Sequence, residues 1–317
     1  MKKNILISVD DFSPQQLELI SNSVKDWAAV KSIPQSADEN HYRKELNSSN
    51  ICIGWPSPGW LLESGIKFLQ IGSSGWDAYQ HKGLENISGF TCCTAKGIYT
   101  IGLVEHAMAM MFALVRRIPV HIRDKDQQQF KRHLPYATEI TGSTACIVGM
   151  GDAGILLAKR LKGLAMKVIA VVRRKEVQFE NVDEIILSEN LESAVAKADH
   201  IFLLVPGIPA NENLFNGRIF NACKPTAFFY NLSRGTNVDE ESLYQALQNK
   251  KIAGAGLDVT RIEPLPAGDK LWKLGDNVLI TGHSAGLSSG HTGRFCELVI
   301  RNLYNYHHNL PFENKVI

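Results

Sequence analysis

Six short apolar runs, at residues 144–148, 167–172, 200–205, 226–232, 252–259 and 277–281, recur with helix-length spacers between them. Runs of that length bounded by turn residues read as strands, and spacers of that length permit parallel crossovers rather than hairpins. Right-handed βαβ units then place helices on both faces of one parallel sheet. The first hundred residues carry the same rhythm, with strand candidates at 4–9, 51–55, 67–72 and 91–95 and a helical stretch over 14–29. The expected fold class is therefore α/β, built as two doubly wound parallel-sheet domains. The length of 317 residues agrees, because single cores tend to split near this size.

Residues 101–117 form a long helical pattern rich in Ala, Met and Leu, with the polar Glu105 and His106 near its start. The pattern places a boundary near residue 100 and gives a first domain over 1–100 and a second over 101–286. Residues 124–131 are strongly polar and read as exposed. The remaining segment, 287–317, contains one helical pattern at 294–305, and composition alone does not say which domain it joins.

The strand at 144–148 runs into Gly149-Met-Gly151-Asp-Ala-Gly154 and then into a helix whose Gly154, Leu157, Ala158, Leu161 and Ala165 share a face. G-x-G-x-x-G between a strand and a helix is the context that dinucleotide binding requires. Gly149 permits the tight turn, Gly151 admits a pyrophosphate to the backbone, and Gly154 lets the helix close on the strand. The helix N-terminus offers free N–H groups and a partial positive charge to the phosphates. The bland alternative is a glycine turn kept for packing. About 20 residues on, where an acid would accept the ribose 2′-hydroxyl, stands Val172, followed by Arg173 and Arg174. Two guanidinium groups there favour the 2′-phosphate of NADP over NAD, against the alternative of a solvated basic turn.

Composition narrows the partners. Lys plus Arg number 34 and Asp plus Glu 32, for a net charge of +2, so no charge excess points to nucleic acid or an anionic membrane. With 44% hydrophobic and 21% charged residues the chain reads as globular rather than disordered. None of the six cysteines forms a C-x-x-C pair, which suits reduced buried thiols rather than disulfides or a zinc site. The apolar run at residues 5–9 is too short for a signal peptide, and that at 107–115 is about half of a membrane span. These features lead to the expectation of a soluble cytoplasmic protein.

Three residues follow late strands, where open α/β sheets bind ligands: Arg234, Glu263 and His283. Taken singly, each also reads as a surface ion pair, a loop cap or an exposed imidazole. Together with their surroundings they carry a resemblance. The segments Asn231-Leu-Ser-Arg-Gly-Thr-Asn-Val-Asp-Glu240, Gly254-Ala-Gly-Leu-Asp-Val259, Glu263-Pro-Leu-Pro266, Leu271-Trp272, Asn277-Val278 and Thr281-Gly-His283 occur in that order. With Phe68-Leu-Gln-Ile-Gly-Ser-Ser-Gly-Trp-Asp77 and Val104-Glu-His-Ala107 upstream, the chain resembles the D-isomer-specific 2-hydroxyacid dehydrogenase family. It looks most like the glyoxylate/hydroxypyruvate reductase branch.

The resemblance implies a flavodoxin-like substrate domain, completed by 287–317, and a Rossmann dinucleotide-binding domain. It implies NAD(P)H-dependent reduction of a small 2-oxo acid without a metal. His283 would be the general acid, Glu263 would hold its imidazole, and Arg234 would bind the 2-oxo acid. Ser74, Gly75 and Trp76 would take the substrate carboxylate. The cofactor set implied is Gly149, Met150, Gly151, Asp152, Ala153, Gly154, Arg173, Arg174, Val205, Pro206, Leu232, Ser233, Arg234, Asp258, His283, Ala285 and Gly286. Asp258 would face the nicotinamide carboxamide, and Pro206 would pack near the adenosine. A homodimer through the long helix is implied as well, although a helix buried within one subunit shows the same apolar stripe. Trp55, Trp60 and Trp76 read either as an aromatic substrate mouth or as packing residues. Two departures stand out: Gly282 replaces the family's Pro, and Asp152-Ala153 replaces its usual Arg-Ile. The alternatives are a non-catalytic dinucleotide-sensing protein on the same fold and a related Rossmann dehydrogenase with another substrate.

Overall fold

The computed structural model describes residues 2–133, 137–174 and 178–317. The chain divides into two units, one of Met1–Tyr99 with Ser288–Ile317 and one of Thr100–Leu287.

The first unit contains β1 (Lys3–Ser8), α1 (Pro14–Val24), β2 (Ala28–Ser32), α2 (Glu39–Asn47), β3 (Ile51–Gly54), α3 (Pro58–Glu63), β4 (Phe68–Gln70) and β5 (Thr91–Cys93). Its strands pair in the order β2-β1-β3-β4-β5, all parallel, which is the flavodoxin-like arrangement. Inner strands β3 and β4 are buried along their whole length, as a sheet covered on both faces demands.

The second unit contains α4 (Thr100–Val115), α5 (Ile118–Asp126), β6 (Thr144–Val148), α6 (Asp152–Gly163), β7 (Lys167–Val172), β8 (Glu184–Leu187), α7 (Leu191–Lys197), β9 (His200–Leu203), α8 (Gly217–Ala222), β10 (Phe228–Asn231), α9 (Glu240–Gln248), β11 (Gly254–Leu257) and β12 (Val278–Ile280). Seven parallel strands run in the order β12-β11-β10-β9-β6-β7-β8, the Rossmann order with one strand added. Cys146, Ile201, Phe229 and Leu257 face one side with residues of α7, α8 and α9. Ala145, Ile147, Phe202 and Tyr230 face the other side with α4 and α6. The last helix, α10 (His291–His308), belongs to the first unit and packs on α1.

Several expectations change. The helix read over 14–29 stops at Val24, and Ala28–Ser32 is instead strand β2. Six strands were expected in the later segment and seven form, the extra one being β8. Both unforeseen strands lie at a sheet edge and are only partly buried, with one buried residue each, so no long apolar run marks them. The polar stretch 124–131 is not uniformly exposed. Asp124 is buried, and His133 from the following connection donates to its carboxylate, which lowers its pKa from the usual carboxylate value. The apolar stripe of α4 is used inside the unit: Val104, Ala107 and Met111 pack with Leu157 and Leu161 of α6. A Cβ at Gly256 would lie 2.8 Å from Met110 Sδ, so α4 lies close over β11.

All six cysteines are free and buried, and burial pushes the Cys52 thiol up to about 12. Among the described residues no helix is long and apolar enough to cross a membrane.

Candidate active site

The sheet of the second unit lines up its chemistry. Reading β12, β11, β10, β9, β6 and β7 in spatial order, the segments after their carboxyl ends carry His283, Glu263, Arg234, Pro206, Gly149 and Arg173. A switch in strand order falls between β9 and β6, where such sheets open a crevice for ligand.

At the β6–α6 turn each glycine has a distinct reason. Gly149 has φ +109°, and a Cβ there would meet the Leu204 carbonyl at 2.8 Å. A Cβ at Gly154 would come within 2.2 Å of the Gly149 oxygen, so only glycine lets α6 start this close to the turn. Around Gly151 the space is open. It is the N-cap of α6 and supplies no capping side chain, so the first-turn amides of α6 keep their donors for a ligand. Met150 and Ala153 are half-buried, and Asp152 is exposed in the first turn. The turn thus fits a pyrophosphate. Arg173 and Arg174 are exposed directly after β7.

The loop after β10 is built by buried amides. Asn231 Oδ1 accepts from the Ser233 amide (3.1 Å) and hydroxyl (2.7 Å), and its Nδ2 donates to Arg234 O (3.1 Å). Asn237 Nδ2 donates to Ser233 Oγ (3.1 Å) and to Val205 O (3.2 Å), tying this loop to the one after β9. The Arg234 side chain passes over Gly207, where a Cβ would lie 2.6 Å from Arg234 Cγ. Gly235 lies equally tight against the Thr260 carbonyl, 2.1 Å from a notional Cβ. Leu232 and Ser233 are buried beneath the loop.

Glu263 and His283 meet across the ends of β11 and β12. The His283 Nδ1–H donates to Glu263 Oε2 at 2.7 Å, while Glu263 Oε1 accepts from the Thr260 amide at 3.1 Å. One carboxylate is thereby fixed by its own loop and orients the imidazole, leaving Nε2 for other work. His283 has φ +51°, an uncommon backbone for a non-glycine residue. It is held there by its amide, which donates to Asp258 O at 2.7 Å. The Asp258 carboxylate accepts from Thr281 Oγ1 (2.6 Å) and from the amides of Ser284 (2.9 Å) and Ala285 (3.0 Å). Asp258 is buried, as is Ala285, while Gly286 is half-buried. A cavity of about 480 Å³ adjoins the pair, lined by Asp258, Glu263, Leu265, Trp272, Ile280 and His283. At Gly282, where the family has Pro, a Cβ would meet nothing within 4 Å.

In the first unit, Ser74, Gly75 and Trp76 form the turn after β4. Ser74 Oγ donates to Ala95 O (3.3 Å), and Ser73 Oγ donates to Gly75 O (2.7 Å). Trp55 lies against Gly72, and Trp60 tilts onto Tyr42, both in packing positions. Sequence reasoning missed the supporting polar residues Asn231, Asn237, Thr260 and Thr281. Their partners lie in neighbouring loops, although three of them stand inside the motif segments quoted above.

The family model described as D-isomer specific 2-hydroxyacid dehydrogenase, NAD binding domain, matches residues 108–285. The chain is 33% identical over 232 residues to a D-3-phosphoglycerate dehydrogenase of Synechocystis sp., covering 70% of this chain and 40% of that protein. It is 32% identical over 221 residues to a glyoxylate reductase of Korarchaeum cryptofilum, covering 68% of this chain and 65% of that one. These alignments therefore span less than two thirds of either relative. Among solved structures, an NADPH-dependent glyoxylate/hydroxypyruvate reductase of Sinorhizobium meliloti in complex with NADP and sulfate superposes with a TM-score of 0.82 at 22% identity. That likeness of fold covers 99% of this chain and 98% of the other.

Proposed function

This chain belongs to the D-isomer specific 2-hydroxyacid dehydrogenase family, and from that premise we propose that it reduces a small 2-oxo acid of the glyoxylate/hydroxypyruvate class to the D-2-hydroxy acid, with NADPH preferred over NADH. The observation that carries this reading is the His283–Glu263 pair at 2.7 Å, set on the loops after the two strands beyond the Arg234 loop in a sheet that also carries the glycine turn.

A nicotinamide dinucleotide, when bound, would supply the hydride for the carbonyl carbon. The protein does the rest. Arg234 holds the 2-oxo acid through its planar fork, which suits a carboxylate and an adjacent carbonyl oxygen. His283 Nε2 gives a proton to that oxygen as it becomes a hydroxyl, and Glu263 keeps the imidazole aimed by accepting from Nδ1. In the first unit, Ser74, Gly75 and Trp76 are the segment proposed to receive the substrate carboxylate. The turn from Gly149 to Gly154 would hold the pyrophosphate, and Val205, Pro206, Leu232, Ser233, Asp258, Ala285 and Gly286 would complete the cofactor contacts. Arg173 and Arg174 read the 2′-phosphate, and support for that preference comes from their exposure at the end of β7 beside Val172. A second copy of this chain is the proposed partner, with the exposed Phe112, Ile118 and Ile122 of α4 and α5 as apolar surface for it to cover.

Initial rates at the nicotinamide absorbance band test the reading, with NADPH and NADH each offered against glyoxylate, hydroxypyruvate, pyruvate and phenylpyruvate. Faster turnover with NADPH on any of these supports it. Faster turnover with NADH keeps the reaction and removes the cofactor preference. Binding of dinucleotide without turnover favours the sensing protein instead. Replacing Arg173 and Arg174 with Ala is expected to weaken NADPH at least about tenfold more than NADH, as loss of charge-assisted bonds predicts. Equal losses would show that the pair does not read the phosphate.

A further inference from the structure

Helix α4 presents two polar residues early in its length, and the first has a clear partner: Glu105 Oε1 accepts from Arg160 of α6 at 3.2 Å. His106 reaches the other way. Its Nε2 lies 3.0 Å from Thr281 Oγ1, and that hydroxyl lies 2.6 Å from Asp258 Oδ1. The side chain of His106 is a quarter exposed and that of Asp258 is buried.

The direction of these bonds follows from counting protons. The Asp258 carboxylate accepts from the amides of Ser284 and Ala285. Thr281 Oγ1 also donates to it, so the single hydroxyl proton of Thr281 points at Asp258 Oδ1. The face of Oγ1 toward α4 is then a lone pair, and His106 Nε2 must carry the hydrogen that meets it.

We propose that His106 is a positioning residue for the reaction, donating from Nε2 to Thr281 and through it fixing the Asp258 carboxylate that holds the His283 loop. This rests on the dehydrogenase reading above. The physical need is visible at His283. Its φ of +51° is costly for a non-glycine residue, and such a backbone persists only where its surroundings over-determine it. Asp258 does so with its main-chain oxygen on the His283 amide and its carboxylate on Thr281, Ser284 and Ala285. His106 meets a lone pair of the Thr281 hydroxyl, and it does so from a long helix that also packs on the sheet. Catalytic aim then depends on a side chain that touches neither Glu263 nor His283.

Steady-state kinetics on wild type, His106→Gln, His106→Leu, Thr281→Val and the double variant His106→Leu/Thr281→Val test this. His106→Leu is expected to lower kcat about threefold to tenfold, the worth of one hydrogen bond, with substrate KM little changed. His106→Gln retains an amide donor and should recover most of the loss. In the double variant, His106→Leu should add nothing to Thr281→Val, because the bond is already gone. A full additional loss in the double variant, or a Gln variant as impaired as Leu, would reduce His106 to ordinary packing and overturn the proposal. Nitrogen NMR of the His106 ring gives a readout independent of turnover. A hydrogen on Nε2 is expected, and a neutral ring protonated only at Nδ1 would refute the arrangement. Should wild type itself show no turnover, the dehydrogenase reading fails while the NMR result still decides the His106 bond.

Discussion

The two units begin their sheets with the same move, a strand turning into a helix on the sheet face, yet the two turns are finished differently. After β1, Ser13 caps α1: its hydroxyl accepts from the Gln16 amide (3.2 Å), and Gln16 Oε1 accepts from the Ser13 amide (2.9 Å). Pro14 at the first helical position adds a residue with no amide hydrogen to satisfy. After β6, the cap of α6 is Gly151, with no side chain and open space around its Cβ position. One helix start is closed by its own side chains, and the other leaves its amides for a ligand. Topology places both turns alike, so the capping chemistry, not the fold, distinguishes them, and only the second turn is open to the proposed ligand.

The strongest way to press this contrast is at the catalytic end of the second unit. His283→Ala should lower kcat by about 10²–10⁴, the usual worth of a positioned general acid, without shifting the thermal melt of either unit. Retained turnover would remove the general-acid role.

A pH scan separates the units by stability. His200 in β9 is buried against Phe228 and Tyr230, and burial pushes its pKa down to about 4 from the usual 6.5. The folded form therefore binds fewer protons than the unfolded form between these values. Its contribution is whole above pH 6.5 and is lost as pH falls toward 4, by about 3 kcal/mol in all. Urea midpoints at pH 7, 5.5 and 4.5 check this, and a flat profile would mean that His200 titrates normally.

Gly151→Ser tests the capping argument directly by giving α6 the kind of cap that α1 has. Apo stability should rise by a few tenths of a kcal/mol, while dinucleotide affinity falls about tenfold as the hydroxyl competes for the amides. Unchanged affinity would show that the open turn is not the phosphate site. The matching change in the first unit, Ser13→Ala, should cost about 1 kcal/mol of stability and leave dinucleotide affinity alone. Calorimetry on both variants reads the pair together.

Legibility from sequence followed burial. Strands β3, β4, β6 and β7 announce themselves because both faces are covered and nearly every residue is apolar. Strands β2 and β8 do not, because Ala-Ala-Val-Lys-Ser and Glu-Ile-Ile-Leu pair on one side only and bury only one residue each. Where β2 went unseen, the helix before it was read too long, since nothing after Val24 marked its end.

What the sequence alone determined is local: the inner strands and the glycine turn with its three sterically distinct positions. Each depends on residues within a few positions of one another, through apolar period or backbone freedom. The tertiary structure decided the rest. Glu263 and His283 stand 20 residues apart and meet because β11 and β12 are neighbours in register. Asn237 reaches Val205 across 32 residues, and His106 reaches Thr281 across 175. No pattern along the chain encodes such pairings, because they exist only once strand order has brought separate loops to one edge of the sheet.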